Sequence, residues 1–304
     1  MNPVTGDPAG APGKIRAGSY ERVRDLHPCF GARFNRGRMH LPVCSRCNIK
    51  CRFCDRKLSD REDRPGVASS IISPADALGY VERALEICPE ISVIGIAGPG
   101  DALADNAALE TFQAIGRKYP DLLKCMSTNG LMLAERSGEV IEAGVDTLTV
   151  TVNGVAPEIT ARIVGGLVFH GQYYQGLEAA EILIENQLAG LARVAAAGIQ
   201  VKVNTVLISE INAAHIGDIA RAVARAGARL HNIIPLIPQH EFRHLSEPGC
   251  RELALAREEV SKYLEPFRHC RRCRADAVGI PGRCDFSRKV YAEGFAARET
   301  FSHG

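Results

Sequence analysis

The sequence predicts an α/β protein built on a parallel sheet, and three observations carry that expectation. Short β-branched runs at residues 39–43, 91–97, 122–127, 147–152, 201–208 and 230–237 alternate with helix-length amphipathic segments, which implies parallel strands joined by crossover helices. Gly144, Gly198 and Gly227 each stand just past a helical run, where a left-handed residue closes the helix. The polar and sulfur-bearing segments gather at the carboxyl ends of the strands, the face on which parallel α/β barrels build their sites.

Taken in order, residues 1–22 carry Pro3, Pro8, Pro12 and four glycines with few large apolar side chains, and are expected to form a flexible tail. Helices are expected at 74–88, 106–119, 135–143, 176–197 and 213–226, the first opened by Ser73-Pro74 as N-cap and first-turn proline. After Pro235 the rhythm stops. Residues 250–264 read as one more helix and 267–304 as loop. The expected organisation is a tail (1–22), a partial parallel barrel (23–265) and a cysteine-containing C-terminal extension (266–304) that folds toward the barrel mouth.

Composition narrows the class. The 304 residues carry 37 Lys+Arg against 35 Asp+Glu, and 46% are hydrophobic. A balanced surface is expected to bind no nucleic acid. No run approaches the roughly 18 apolar residues of a membrane span, and the N-terminus lacks the apolar core of a signal peptide. The expected location is cytoplasmic. Eleven cysteines cannot all pair, and in a reducing compartment clustered thiols serve metal or redox chemistry. A metal site becomes the leading question.

The sharpest motif is Cys47-Asn-Ile-Lys-Cys51-Arg-Phe-Cys54. Three thiolates on one loop hold three irons of a cubane, whereas complete cysteine ligation takes four. The remaining iron is then open to a ligand. Zinc is the competing reading, since Cys44-x2-Cys47 offers a paired spacing, as does Cys270-x2-Cys273. Gly98-Pro-Gly-Asp101 alone reads as a tight turn and Cys125 alone as a small buried hydrophobe. Cys88 and Cys250 are expected to be structural.

The triplet resembles the signature of the radical S-adenosylmethionine (radical SAM) superfamily. That resemblance implies a partial (β/α)6 TIM-like barrel. Cys47, Cys51 and Cys54 would hold a [4Fe-4S] cluster at its mouth, and SAM would bind the open iron and be cleaved to a 5′-deoxyadenosyl radical. Further stretches, among them His27-Pro28-Cys29, GIAGPGD at 95–101, CMSTNG at 125–130, LHNIIPLI at 230–237 and RHCRRCRADAVG at 268–279, resemble the branch that assembles the precursor of the nitrogenase cofactor. The resemblance then implies three [4Fe-4S] clusters, one binding SAM and two auxiliary. Cys29 and Cys125 would serve one auxiliary cluster, with His27 or His40 adding a bond, and Cys270 and Cys273 the other. The activity implied is fusion of the two with insertion of a SAM-derived carbide and a sulfur. Gly98, Gly100, Asp101, Thr128, Asn129, Thr151 and Asn153 match the positions that cradle SAM. Partners implied are an iron–sulfur cluster donor, an electron donor, and a carrier or scaffold protein for the cofactor.

Two segments depart from that pattern. The stretch Leu58-Ser-Asp-Arg-Glu-Asp-Arg-Pro-Gly66 lacks the cysteine usual there, with Glu62 as the surviving acidic residue and candidate catalytic group. The stretch between Cys29 and His40 is short. Cys44 and Cys284 are extra thiols available to compensate, and Arg268, Arg271, Arg272 and Arg274 are available to offset cluster charge. Two alternatives remain at this point: a divergent radical SAM enzyme acting on another substrate, and a non-catalytic iron–sulfur scaffold or carrier.

Overall fold

In the computed structural model, which describes residues 19–32 and 35–291, six parallel strands pair strictly in chain order. They are β1 (Gly37–His40), β3 (Ile91–Ile96), β4 (Leu123–Thr128), β5 (Thr147–Thr151), β8 (Gln200–Leu207) and β9 (Leu230–Pro235). The first four connections carry the crossover helices α2 (Ala77–Ile87), α3 (Ala107–Lys118), α4 (Leu133–Glu142) and α6 (Gly176–Ala196). The fifth, between β8 and β9, carries α7 (Ser209–Asn212) and α8 (Ile216–Arg225), and α9 (Cys250–Ser261) follows β9. Gly144, Gly198 and Gly227 end α4, α6 and α8 with φ of 69°, 89° and 89°. The Ser73 hydroxyl accepts from the Asp76 N–H at 3.3 Å, one turn ahead of α2.

The sheet is open, and the C-terminal segment bridges the gap. Strand β10 (Glu265–Pro266) adds parallel to β9 at one edge, and β11 (Val278–Gly279) adds antiparallel to β1 at the other. Residues 267–277 therefore span the open side. Residues 267–277 are loop, as expected, and within the described residues only β11 and the short helix α10 (Ser287–Tyr291) interrupt the loop expected beyond residue 267. These elements are too short to leave a periodic signal.

The amino terminus also departs from expectation. Residues 1–18 lie outside the described residues, but 19–22 open helix α1 (Ser19–Leu26) rather than ending a tail. Val23 packs with Val93 and Leu123, Arg22 pairs with Asp146 at 3.1 Å, and the Ser92 hydroxyl donates to the Leu26 carbonyl at 2.6 Å. Those contacts fix α1 beneath the amino ends of β3, β4 and β5. A helix of eight residues is marginal alone and takes its stability from such packing.

A second sheet escaped the sequence reading. Strand β2 (Ile49–Cys51) pairs antiparallel with β6 (Val164–Phe169), which pairs with β7 (Gln172–Tyr174) and follows α5 (Pro157–Ile163). β6 includes Gly165 and Gly166, and Gly166 lies against the Tyr173 hydroxyl where a Cβ has no room.

The strands are two-faced. Ile94, Ile96, Met126, Leu148, Val150, Val201 and Val203 point outward into one apolar core beneath the helices. The alternate residues point into the barrel and are largely polar. Beside the lumen, His231 is fully buried and donates from Nε2 to the Thr205 hydroxyl at 2.8 Å, because that hydroxyl itself donates to the Val152 carbonyl at 2.6 Å. Its Nδ1 has no partner, and burial pulls the imidazole down to about 4. A histidine held neutral contributes stability that is complete above its unfolded value near 6.5 and lost as pH falls toward 4. Cluster-free protein should lose about 3 kcal/mol from this group across that window. His231→Gln should flatten the acid limb of a urea-unfolding series; an unchanged slope would refute the assignment.

Candidate active site

Three supports hold the cysteine triplet. Strand β2 ends on Cys51, and Cys47 and Cys51 lie against an apolar cluster of Ile49, Leu131, Val164, Leu167 and Leu183. The Arg52 N–H donates to the Ile163 carbonyl at 2.9 Å and the Cys54 N–H to the Cys51 carbonyl at 3.1 Å, which turns the loop back on itself. The third support is the Gly-Pro-Gly-Asp segment after β3: the Gly100 N–H donates to the Cys44 carbonyl at 2.8 Å and the Asp101 N–H to the Arg46 carbonyl at 2.7 Å.

The glycines of that segment therefore act differently from the sequence expectation. A Cβ on Gly100 would overlap the Arg46 carbonyl, so the close approach is to the cysteine loop as well as to the cavity that Gly100 lines. Gly98 does not line the cavity. Its φ is 123°, and a Cβ there would meet Gly66 and Ala275 at 3.4 Å.

The remaining expected SAM residues converge. A cavity of about 190 Å³ is lined by Cys47, Cys51, Cys54, Gly100, Asp101, Thr128, Asn129, Thr151 and Asn153. Asp101 is buried and its carboxylate accepts from the Thr128 hydroxyl at 2.9 Å, the Asn129 N–H at 2.5 Å and the Leu103 N–H at 2.9 Å. Burial pushes its carboxyl upward while those donors oppose the shift. Asp101 shapes the end of β4. Asn129 then turns its side chain to Asn48 at 2.7 Å and Cys47 at 3.8 Å.

Two residues of this cavity were missed. Gln187 on α6 donates to the Asn129 carbonyl at 2.6 Å and the Thr151 carbonyl at 2.9 Å, tying β4 to β5. Arg56 is 8% exposed, and its Nη1 has no partner. Position two after the triplet was the available signal for Arg56; Gln187 left none, because only folding brings α6 to the cavity.

A larger cavity of about 340 Å³ adjoins the first; Phe53, Cys54, Ala97, Ser127 and Thr151 line both. It is the barrel lumen, and into it point Cys29, Cys125, Cys270, Cys273, His27 and His40. They arrive from four directions: α1 and its following turn below, β1 and β4 in the wall, and the bridging C-terminal segment across the gap. Burial pushes the Cys29 and Cys47 thiols up to about 11 and Cys51 further still, so these thiols stay protonated unless a metal takes the proton's place.

The two histidines offer different groups. The His40 Nδ1 donates to the Arg274 carbonyl at 2.7 Å, which leaves Nε2 as a lone pair; Gly95 gives the ring room, since a Cβ there would lie 2.7 Å from its Cδ2. The His27 Nδ1 accepts the Cys29 N–H at 3.0 Å. Burial holds that ring neutral, so its unpartnered Nε2 carries the proton.

Several expected residues do not join. Glu62 lines neither cavity; its side chain is 46% exposed and pairs with Arg64 at 2.5 Å. Cys44 is fully buried in the main core and Cys284 packs beside it at Ile280, so neither compensates in the lumen. Arg274 is committed to Asp276 at 2.8 Å and to carbonyls of the 58–66 segment. Among the described residues, no three His, Cys, Asp or Glu side chains close on a single point.

The chemistry of the donor sets fits iron–sulfur clusters. Three thiols face a cavity lined by Arg56, whose Nη1 has no partner, and four more share a lumen with two imidazoles, one offering a free lone pair. Residues 41–223 match the family model described as the Radical SAM superfamily, and the fold agrees: Streptococcus suis SuiB bound to S-adenosylmethionine superposes with a TM-score of 0.55 at 13% identity, over 75% of this chain and 49% of that one. The class is that of the radical SAM proteins. FeMo cofactor biosynthesis protein NifB of Methanocaldococcus jannaschii is 44% identical over 271 residues, 88% of this chain and 90% of that one. NifB of Methanocaldococcus infernus is 41% identical over 278 residues, covering 90% and 92%. The chain belongs to the NifB family. Among the described residues no helix is long and apolar enough to cross a membrane.

Proposed function

We propose that the chain is a radical SAM enzyme of FeMo-cofactor biosynthesis that fuses two [4Fe-4S] clusters into an eight-iron core with a SAM-derived carbide and an added sulfur. The observation that carries this reading is the shared wall: the cavity of the triplet and the lumen of four further cysteines meet across Phe53, Cys54, Ala97, Ser127 and Thr151. A short-lived radical made on one side can reach a substrate held on the other without crossing water.

The [4Fe-4S] cluster held by Cys47, Cys51 and Cys54 supplies, when bound, an open iron and the electron that cleaves SAM to a 5′-deoxyadenosyl radical. The chain's own residues bind and orient. Arg56 offers the unpartnered Nη1 of its buried guanidinium to the carboxylate of SAM, and charge-assisted pairs of this kind are the stronger hydrogen bonds. Asp101 and Gln187 hold the ends of β3, β4 and β5 in register beneath the ligand. Thr128, Asn129, Thr151 and Asn153 present short polar groups to it. The substrate clusters take Cys29 and Cys125 with His40 as the better-placed nitrogen donor, and Cys270 and Cys273 from the bridging segment. His27 Nε2 donates a hydrogen bond to a cluster sulfide. An iron–sulfur cluster donor, an electron donor and a cofactor carrier complete the reading.

Methyl-labelled SAM tests it. Anaerobically reconstituted protein should hold about twelve irons per chain and retain methyl carbon in an acid-labile cluster. Cys270→Ala with Cys273→Ala should abolish that retention while 5′-deoxyadenosine is still formed. About four irons in the parent, or label retained by the double variant, would overturn the proposal.

A further inference from the structure

The lumen has a charge composition that its cysteines do not explain. Its wall includes Arg38, Arg64, Lys202, Arg271 and Arg272 and no Asp or Glu. Most of these cations are accounted for within the protein. Arg64 pairs with Glu62, Arg272 lies 4.0 Å from Glu247, and Arg38 donates to the Gly279 carbonyl at 2.9 Å and the Cys273 sulfur at 3.3 Å. Lys202 is different. It stands on β8, facing inward opposite Thr149 of β5, is 8% exposed, and among the described residues has neither a hydrogen bond nor an ion pair. Its ammonium lies over the Phe267 ring at 5.1 Å.

A buried lysine without a counter-ion is costly, and such groups persist where something else supplies the opposite charge. Burial works to lower its pKa, while Cys29, Cys125, Cys270 and Cys273 in their thiolate forms, the forms that a metal would hold, work to raise it and carry the net shift upward. Lys202 is thus electrostatically coupled to both cysteine pairs, one from each proposed substrate-cluster site.

We propose that Lys202 is a positioning residue for cluster fusion: its ammonium, carried on β8 in the lumen that both cysteine pairs line and no carboxylate does, is the counter-charge that lets two anionic iron–sulfur clusters share one cavity. Two like-charged clusters brought together in a low-dielectric space repel strongly, and a fixed cation in the same cavity offsets that repulsion. The inference rests on the two-cluster reading of the lumen.

The test uses full-length protein in which Cys47, Cys51 and Cys54 are all alanine, so that only lumen iron is counted. After anaerobic reconstitution this parent should hold about eight irons. Lys202→Met should hold about half as many, with the remaining cluster reduced at a more negative potential because a nearby positive charge is gone. Lys202→Arg should restore both. Without clusters, Lys202→Met should melt at or above the parent's temperature, since an unpaired buried charge has been removed. Parent-like iron and potential in Lys202→Met would overturn the inference, as would iron loss accompanied by a lower apoprotein melting temperature, which marks a merely structural role. A parent holding no lumen iron would instead sink the two-cluster reading and the inference with it.

Discussion

Cys51→Ala should reduce reductive cleavage of SAM to background. Cys51 closes β2, so its thiol is placed by strand pairing with β6 rather than by a free loop. Outer-sphere changes at metal sites already cost about 10–100-fold; loss of one of only three thiolates should cost more than about 100-fold in 5′-deoxyadenosine formed under dithionite. The fold should survive, because the side chain is half-buried and alanine leaves a small void. Cys44→Ala is the contrast. That thiol is fully buried in the main core and lines neither cavity, so the variant should lose about 1 kcal/mol of stability and keep SAM cleavage. Parent-like cleavage by Cys51→Ala would remove the triplet from the mechanism.

Gly100→Ala should damage both stability and SAM cleavage. The new methyl would overlap the carbonyl oxygen, carbonyl carbon and nitrogen of Arg46. These are backbone atoms that cannot rotate away. Relief requires the 98–101 segment and the cysteine loop to separate, which breaks the Gly100–Cys44 and Asp101–Arg46 hydrogen bonds that join them. Overpacking of this kind costs about 3 kcal/mol, and the loss of loop placement should lower SAM cleavage more than about ten-fold. Gly79→Ala, in α2 with nothing within 4 Å of the new methyl, should instead stabilise by up to about 1 kcal/mol. Differential scanning fluorimetry of both, with 5′-deoxyadenosine counting, decides the matter; a neutral Gly100→Ala would show that the loops are not coupled.

Much of the site was legible because it is local. The triplet, the Gly-Pro-Gly-Asp segment and the residues Thr128, Asn129, Thr151 and Asn153 sit at strand ends, where fold class dictates the face they share. The alternation within the strands was a further signal left unused. Buried parallel strands usually read as continuous apolar runs, but Lys202 and Asn204 in β8, Thr149 and Thr151 in β5, and Cys125 and Ser127 in β4 recur at period two. A polar inner face in a parallel barrel contrasts with the branched apolar layers that pack such barrels solid.

Glu62 shows the opposite case. Its acidic character and its place after the triplet suggested chemistry, yet Arg64 two residues on holds it at the surface. Cys44 likewise has a plausible spacing and a thiol turned into the core. Sequence distance does not report which way a side chain faces in an irregular loop.

By itself the amino-acid order determined the alternating strands and helices, the left-handed helix ends and the cysteine spacing, because each depends on contacts between near neighbours. The tertiary structure alone decided that α1 closes the barrel from below, that residues 267–277 bridge its open edge, and that Arg56, Gln187 and Lys202 belong to the site. Those placements arise from hydrogen bonds and burial between segments far apart in the chain; the spacing after the triplet and the period-two alternation hint at Arg56 and Lys202, but no local pattern encodes the rest.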